Sequence, residues 1–306
     1  GIYNPTVLKR YNMSWNGKKF HKNAIKFYKK IENRHNTKII FEHQILKFFS
    51  SFSDQNNWIV ASQTAQLKEF IDSEIQTKKI KGLISEFGYG LVKKCGRISI
   101  PTLINKLKGN LKDNYIKQDF DFKKLFYDHT KIVYNNINAQ NIVFCEGYSI
   151  VNNPFFKNLP VRGSKGEFLV VKIPNLNLDK IIKRSSIFIM PIENQFYWVG
   201  ATYDNSDKKN RPTQLKKQWL IDRLESIIKE PYKIVEHKAS IRPTTIDRRP
   251  ITGSHPNYKN IYLLNGLGSR GILLAPTISS WLYNHIYESS DIPKEVDIKR
   301  FKDNNI

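Results

Sequence analysis

Three glycines, Gly266, Gly268 and Gly271, stand in G-x-G-x-x-G spacing between an apolar run (Ile261 to Leu264) and a helical pattern that follows. In that setting backbone N–H groups and a helix N-terminus converge on one spot, where they can hold an anion or an electron-rich ring. The same glycines could equally serve as a tight strand-to-helix turn that needs positive φ. Their place in the chain argues against an ordinary dinucleotide βαβ unit. Such a unit needs a second strand with an acidic residue about 20 residues further on, whereas here the helical pattern runs to about Tyr287 and only a charged tail remains.

Upstream lies Ile241-Arg-Pro-Thr-Thr-Ile-Asp-Arg-Arg-Pro-Ile-Thr-Gly253, too rich in Pro and Arg to be a regular element. Read blandly, it is an irregular loop with surface arginines. Read chemically, Arg242 leaves a strand end and offers a planar fork that matches a carboxylate. A third segment, Leu159-Pro-Val-Arg-Gly-Ser-Lys-Gly-Glu167, lacks the P-loop spacing and reads as a turn into a strand. A fourth, Gly1-Ile-Tyr-Asn-Pro-Thr-Val-Leu-Lys-Arg10, marks a turn at Asn4-Pro5.

The elements that must position these residues are readable from periodicity. Phe20, Ala24, Phe27 and Ile31 predict an amphipathic helix over 14–34. A strand is expected over 38–48, a helix start at Ser53-Asp54, and strand-like stretches within 83–98. Pro101 opens a helix with Leu103, Ile104 and Leu107 on its apolar face. Short strands follow near 131–134 and 141–145, then sheet strands at 166–173, 185–191 and 196–203. A helix from Pro212-Thr213 to about Lys229 carries a stripe of Leu215, Trp219, Leu220, Leu224 and Ile228, and 232–242 is a further strand. Strands and helices are mixed without strict alternation. The expected class is α/β of mixed α+β character: a nucleotide-type layer interleaved with a separate, largely antiparallel sheet.

Composition bounds the function classes. The 306 residues suffice for two domains, and 40% apolar content supports a sizeable core. No apolar run approaches the ~18 residues of a membrane span, and no signal-peptide pattern is present. Cys95 and Cys145 are too far apart for a C-x-x-C, which excludes a disulfide framework and a cysteine-rich zinc site and suits a reducing cytoplasm. The seven His show no metal-ligand spacing; His43, His129, His237, His255 and His285 stand singly and read as surface or core residues. No metal site is expected. The net charge of +23 comes mostly from Lys scattered along the chain. That reads as a solvated basic surface or a functional patch, and either would steer anionic ligands.

Taken in order, and with Gly200-Ala201-Thr202 after a strand, these motifs resemble FAD-dependent oxidoreductases of the D-amino-acid oxidase type. Glycine and sarcosine oxidases belong to that family, as does the oxidase domain of a bifunctional tRNA wobble-uridine modification enzyme. The resemblance covers essentially the whole chain, and the C-terminal motif pair is its specific part. The family opens with a strand, a G-x-G-x-x-G loop, a helix and a second strand. None of these is found here, so the chain resembles a member that is N-terminally incomplete by about 40 residues. On that reading it is expected to bind FAD poorly.

The resemblance implies an FAD-binding domain made of 1–35, 95–150 and 240–306, and a substrate domain made of 36–94 and 151–239. It implies that Gly266, Leu267, Gly268, Ser269, Arg270, Gly271, Ile272 and Leu273 lie against the flavin, with Gly1 and Asn4 on its other side and Cys145 to Gly147 as a small-x-Gly turn under the nucleotide. Arg242 would pair with a substrate carboxylate, and Tyr197, Trp198 and Tyr203 are candidates to line the pocket. The implied reaction is oxidation of an amine or amino acid by hydride transfer to flavin N5. The imine product is then hydrolysed and the flavin reoxidised by O2 or another acceptor. Two alternatives stand beside it: a tRNA-modifying FAD oxidase with tRNA as partner, and a non-catalytic remnant of the fold.

Overall fold

A computed structural model describes residues 1–128 and 130–304 of the chain. His129 lies outside the described residues. Two compact units emerge: Gly1–Ile100 with Lys165–Ile241, and Pro101–Ser164 with Arg242–Ile306. The mixed α/β class and the largely antiparallel sheet expected from the sequence are both present.

The first unit is built on a seven-stranded sheet. Its spatial order is Lys233–Thr245, Val161–Lys172, Phe196–Gly200, Ile187–Pro191, Ile181–Arg184, Ile45–Phe48 and Tyr89–Val92. From Val161–Lys172 to Tyr89–Val92 the neighbouring pairs are antiparallel, except that Ile181–Arg184 runs parallel to Ile45–Phe48. Alternation along these strands feeds two cores, as the period of two in a pleated strand requires. Leu46, Phe48, Ile182, Ile189 and Val199 point to one. Ile45, Ile181 and Met190 point to the other, with Trp58 and Phe70. Lys47 and Lys183 are register partners on the parallel pair, and both are buried.

Helix α1 (Gly17–His35) buries Phe20, Ala24 and Tyr28. Tyr28 completes the i, i+4, i+8 row that the sequence reading gave to Phe27, which is 40% exposed. The strand expected over 38–48 is two strands, Ile40–Glu42 and Ile45–Phe48, in different sheets. The break falls at His43, whose amide bonds Cys95 O. Helix α2 (Phe52–Ser62) starts one residue before the expected pair, because Ser51 accepts the Asp54 amide and is the cap.

Helix α3 (Ile100–Leu111) forms where Pro101 predicted it, but it has no buried residue. Its apolar row is only partly covered: Leu103 is half-buried, and Ile104 and Leu107 are 43% and 40% exposed. Helix α4 (Gln214–Glu225) is capped by Thr213 and buries Leu220 and Leu224. Leu215, expected in the same stripe, is 77% exposed. At 100° per residue it sits about 140° around the helix from Leu220.

The second unit holds α3, a small antiparallel meander (Leu125–Tyr127, Ile132–Tyr134, Ile137–Ala139), and a three-stranded sheet ordered Ile142–Phe144, Ile261–Asn265, Ile251–Ser254. Helix α5 (Gly271–Glu288) follows the middle strand of that sheet directly. Ile251, Ile261, Leu263, Phe144 and Phe156 form its core.

Candidate functional site

The second unit places two strand ends at one level. Ile142–Phe144 runs parallel to Ile261–Asn265, with Phe144 opposite Leu263. Ile261, Tyr262, Leu263 and Asn265 are all buried, the pattern of a strand covered on both faces. Ligands of open parallel sheets bind beyond the carboxyl ends of such strands, where the chain turns away. Here both turns are glycine turns. One is Cys145-Glu146-Gly147, with Gly147 at φ +59; the other opens with Gly266 at φ +72 and Gly268 at φ +54.

Asn265 joins them. Its Nδ2 donates to Gly147 O at 2.8 Å, and its Oδ1 accepts the Gly266 amide at 2.7 Å. The side chain is 2% exposed, so both bonds form away from competing water. The second loop is also fastened downstream of Arg242: Gly268 N donates to Pro243 O at 2.9 Å. A side chain at Gly266 would sit 2.8 Å from Thr245 Cγ2. At Gly268 it would meet only Thr244 Oγ1, at 3.6 Å, and at Gly147 nothing within 4 Å. The loop is therefore packed at its base and open at its tip.

The amides of Leu267, Ser269 and Gly271 donate to no backbone acceptor among the described residues. Arg270, the cap of α5, makes no side-chain cap bond. The 18-residue helix therefore presents its positive end, with donors to spare, beside the open loop tip. That arrangement suits an electron-rich ring edge or an anion. Ile272 and Leu273 continue into the first turn, Leu273 buried and Ile272 partly so. Cys145 is solvent-exposed.

Arg242 is half-buried near the end of Lys233–Thr245, and its Nη1 lies 3.4 Å from Ser164 O. The acid of the same loop is already held. Asp247 faces Arg300, with Nε–Oδ2 at 2.9 Å and Nη2–Oδ1 at 3.4 Å. Burial resists the Asp247 charge, but the bonds from Arg300 and the loop amides prevail and hold its carboxyl below the usual range. Arg300 sits in the charged tail after the last helix, where no motif marks it.

Gly1 and Asn4 belong to the first unit. Gly1 N donates to Ile98 O at 2.7 Å, and Asn4 Oδ1 accepts from Thr6 N and Oγ1 at 3.0 and 2.8 Å. Of the three aromatic pocket candidates, Tyr197 is buried in a hydrophobic core with its hydroxyl bonded to Leu176 O, and Tyr203 is 61% exposed.

One cluster in the first unit escaped the sequence reading. Glu167, 1% exposed, accepts from Thr213 N at 2.8 Å and Thr213 Oγ1 at 3.0 Å, and lies 3.1 Å from Lys165 Nζ and 2.9 Å from His237 Nε2. His237, which reads as a lone residue in the sequence, lies against this buried polar cluster, although its Nε2 meets Glu167 without hydrogen-bond geometry. Lys165 also reaches Asp207 at 2.6 Å. The only signal was Lys and Glu two apart in a strand pattern, which places them on one face but names no partner.

Comparison with known proteins settles the family. The family model described as FAD dependent oxidoreductase (DAO) matches residues 2–284. The chain belongs to that family. FAD is its cofactor. Among curated proteins, the chain is 24% identical over 261 residues to the tRNA 5-methylaminomethyl-2-thiouridine biosynthesis bifunctional protein MnmC of Legionella pneumophila (strain Lens). That match covers 76% of this chain and 39% of that protein, so the chain spans about two fifths of the length of such relatives. It is 29% identical over 151 residues to glycine oxidase of Bacillus subtilis, covering 45% of this chain and 38% of that protein. Among solved structures, glycine oxidase from Geobacillus kaustophilus superposes with a TM-score of 0.77 at 17% identity, covering 95% of this chain and 84% of that one. L-proline dehydrogenase from P. horikoshii gives 0.74 at 12% identity, covering 97% and 86%. These likenesses establish the shared fold.

Proposed function

We infer that this chain oxidises an amine or amino acid at a CH–NH or CH–NH2 bond. The observation that supports this reading best is the bracing of two glycine turns by Asn265, with the second turn fastened to Pro243 beside Arg242. When bound, FAD supplies a two-electron acceptor for the substrate's α-hydrogen and electron pair. The residues that would hold it in the second unit are Cys145, Gly147 and the loop Gly266 to Leu273. The positive end of α5 would stabilise negative charge on the ring as it is reduced. Arg242 would grip a substrate carboxylate bidentately and fix the amine's orientation, a contribution of geometry rather than of proton transfer.

The test is anaerobic mixing of the FAD-loaded full natural chain with glycine, sarcosine, N-methylated amines and 2-hydroxy acids. Loss of the oxidised-flavin absorbance with amines alone is expected. Bleaching by hydroxy acids and by no amine overturns the reading.

A second reading has its own support. The MnmC relatives are named for tRNA 5-methylaminomethyl-2-thiouridine biosynthesis and match a longer stretch of this chain than glycine oxidase does. Together with the net charge of +23, this favours an amine carried on RNA.

A further inference from the structure

The solvent side of α1 is uniform in a way that its fold does not require. The helix reads Gly-Lys-Lys-Phe-His-Lys-Asn-Ala-Ile-Lys-Phe-Tyr-Lys-Lys-Ile-Glu-Asn-Arg-His, with one acidic residue in 19. That residue, Glu32, is turned to the chain itself: its Oε1 accepts the amides of Ile39 and Ile40, each at 2.8 Å. Lys18, Lys22, Lys26, Lys30 and Arg34 follow one another at i+4, so they stack on one face. Lys18 is paired with Glu69 at 2.7 Å. Lys22, Lys26, Lys30 and Arg34 are exposed, and among the described residues they make no ion pair or hydrogen bond. Lys29 adds a fifth exposed cation beside them.

Like charges at i+4 repel one another and weaken an isolated helix, so this row opposes α1 rather than building it. What holds the helix is the opposite face, where Phe20, Ala24 and Tyr28 are buried. The row advances about 6 Å per cation and spans roughly 18 Å from Lys22 to Arg34. A polyanion with regularly repeated charges would relieve the repulsion by displacing the counter-ions the row must otherwise keep. The face carries no apolar anchor beyond the edge residue Phe27, which disfavours insertion into a lipid surface.

We propose that the Lys22–Lys26–Lys30–Arg34 face of α1 is a docking surface for an RNA phosphate backbone. The inference takes its biological sense from the RNA-borne amine reading above, but its test measures binding alone, so failure of either leaves the other distinguishable.

The experiment is fluorescence anisotropy of labelled, unfractionated tRNA with the full natural chain between 50 and 200 mM KCl. Four phosphate contacts alone predict an affinity loss of about 100-fold across that range. K22A/K26A/K30A/R34A should bind at least roughly tenfold more weakly at 50 mM and flatten the log–log salt slope by about 3. A charge-matched control, K78A/K79A/K106A/K117A, removes four exposed lysines outside α1 and should leave the slope nearly intact. Circular dichroism melts of both variants check that α1 still folds. Equal weakening by the control assigns binding to bulk charge and overturns the proposal. So does an unchanged slope in the α1 variant, or α1-dependent binding to phosphatidylserine vesicles with none to tRNA.

Discussion

The amide of Gly268 donates to the carbonyl of Pro243 at 2.9 Å, which fastens the loop before α5 one residue past Arg242. Two motifs separated in sequence are thereby held in fixed register by backbone alone. Gly268 still has room for a side chain, whereas Gly266 has none.

That contrast predicts unequal costs for the same substitution. Gly266→Ala adds left-handed strain at φ +72 to contacts of 2.8 Å with Thr245 Cγ2 and 3.2 Å with Ile251 N. A loss of about 2–3 kcal/mol is expected. Gly268→Ala adds strain at φ +54 without a close contact and should cost about 1 kcal/mol. Urea denaturation of both variants checks the order; equal losses would mean that crowding at the loop base contributes nothing.

Glu167→Gln should destabilise strongly. The amide cannot serve Thr213, His237 and Lys165 together, and removing one partner of a buried charge pair costs about 3–5 kcal/mol. Replacing both charges, as Lys165→Met with Glu167→Leu, should recover part of the loss, although Asp207 then loses its Lys165 partner. A double variant less stable than Glu167→Gln would assign the network a net stabilising value and contradict this account.

Lys183 gives the chain a pH dependence. Burial, then the Lys47 and Lys9 charges, pull its ammonium from 10.5 down to about 7. It donates to carbonyls, Ser185 O at 2.5 Å and Ile187 O at 3.5 Å. In the unfolded chain the group returns to its ordinary value. Between about 7 and 10.5 the unfolded chain therefore binds more protons, and stability rises with pH across that window. Below it, the full cost of a buried charge is felt. Lys183→Met should stabilise the protein at pH 6 by about 1–4 kcal/mol, with the gap closing toward pH 10. A gap that is constant with pH would falsify this.

For the proposed reaction, Arg242→Ala should raise KM for an amino acid by the equivalent of roughly 2–5 kcal/mol, the cost of unpairing a desolvated carboxylate. Arg242→Lys should recover only part of it, since a point charge cannot reproduce a planar fork. Steady-state kinetics with an amino acid and its decarboxylated amine form the check. An Arg242 variant that affects both substrates alike has no carboxylate role.

Much of the scaffold is legible in the sequence. The strand into Gly266, the helix after Gly271 and the sheet strands near 166–173 and 196–203 all follow from period and punctuation. The misses share a cause. Leu215 and Phe27 are apolar residues at plausible spacing whose exposure depends on which face the neighbours cover. Leu107 has the right period but stays 40% exposed. The links Glu167–His237 and Asp247–Arg300 join residues about 50 or more positions apart, and Asn265, though it heads the glycine motif, bonds Gly147 118 positions away. Period reports a residue's own element; it is silent on partners brought in by topology.

Asn265 uses the two ends of one carboxamide as a crosspiece, donor to one turn and acceptor from the other. An aspartate fits the same volume but would set its carboxylate against the Gly147 carbonyl, turning a tie into a repulsion. The loop tips above are open, so a side chain added at Gly147 or Gly268 meets left-handed backbone strain but no crowding. The pin beneath them cannot vary, and neither turn can change length without pulling on its twin.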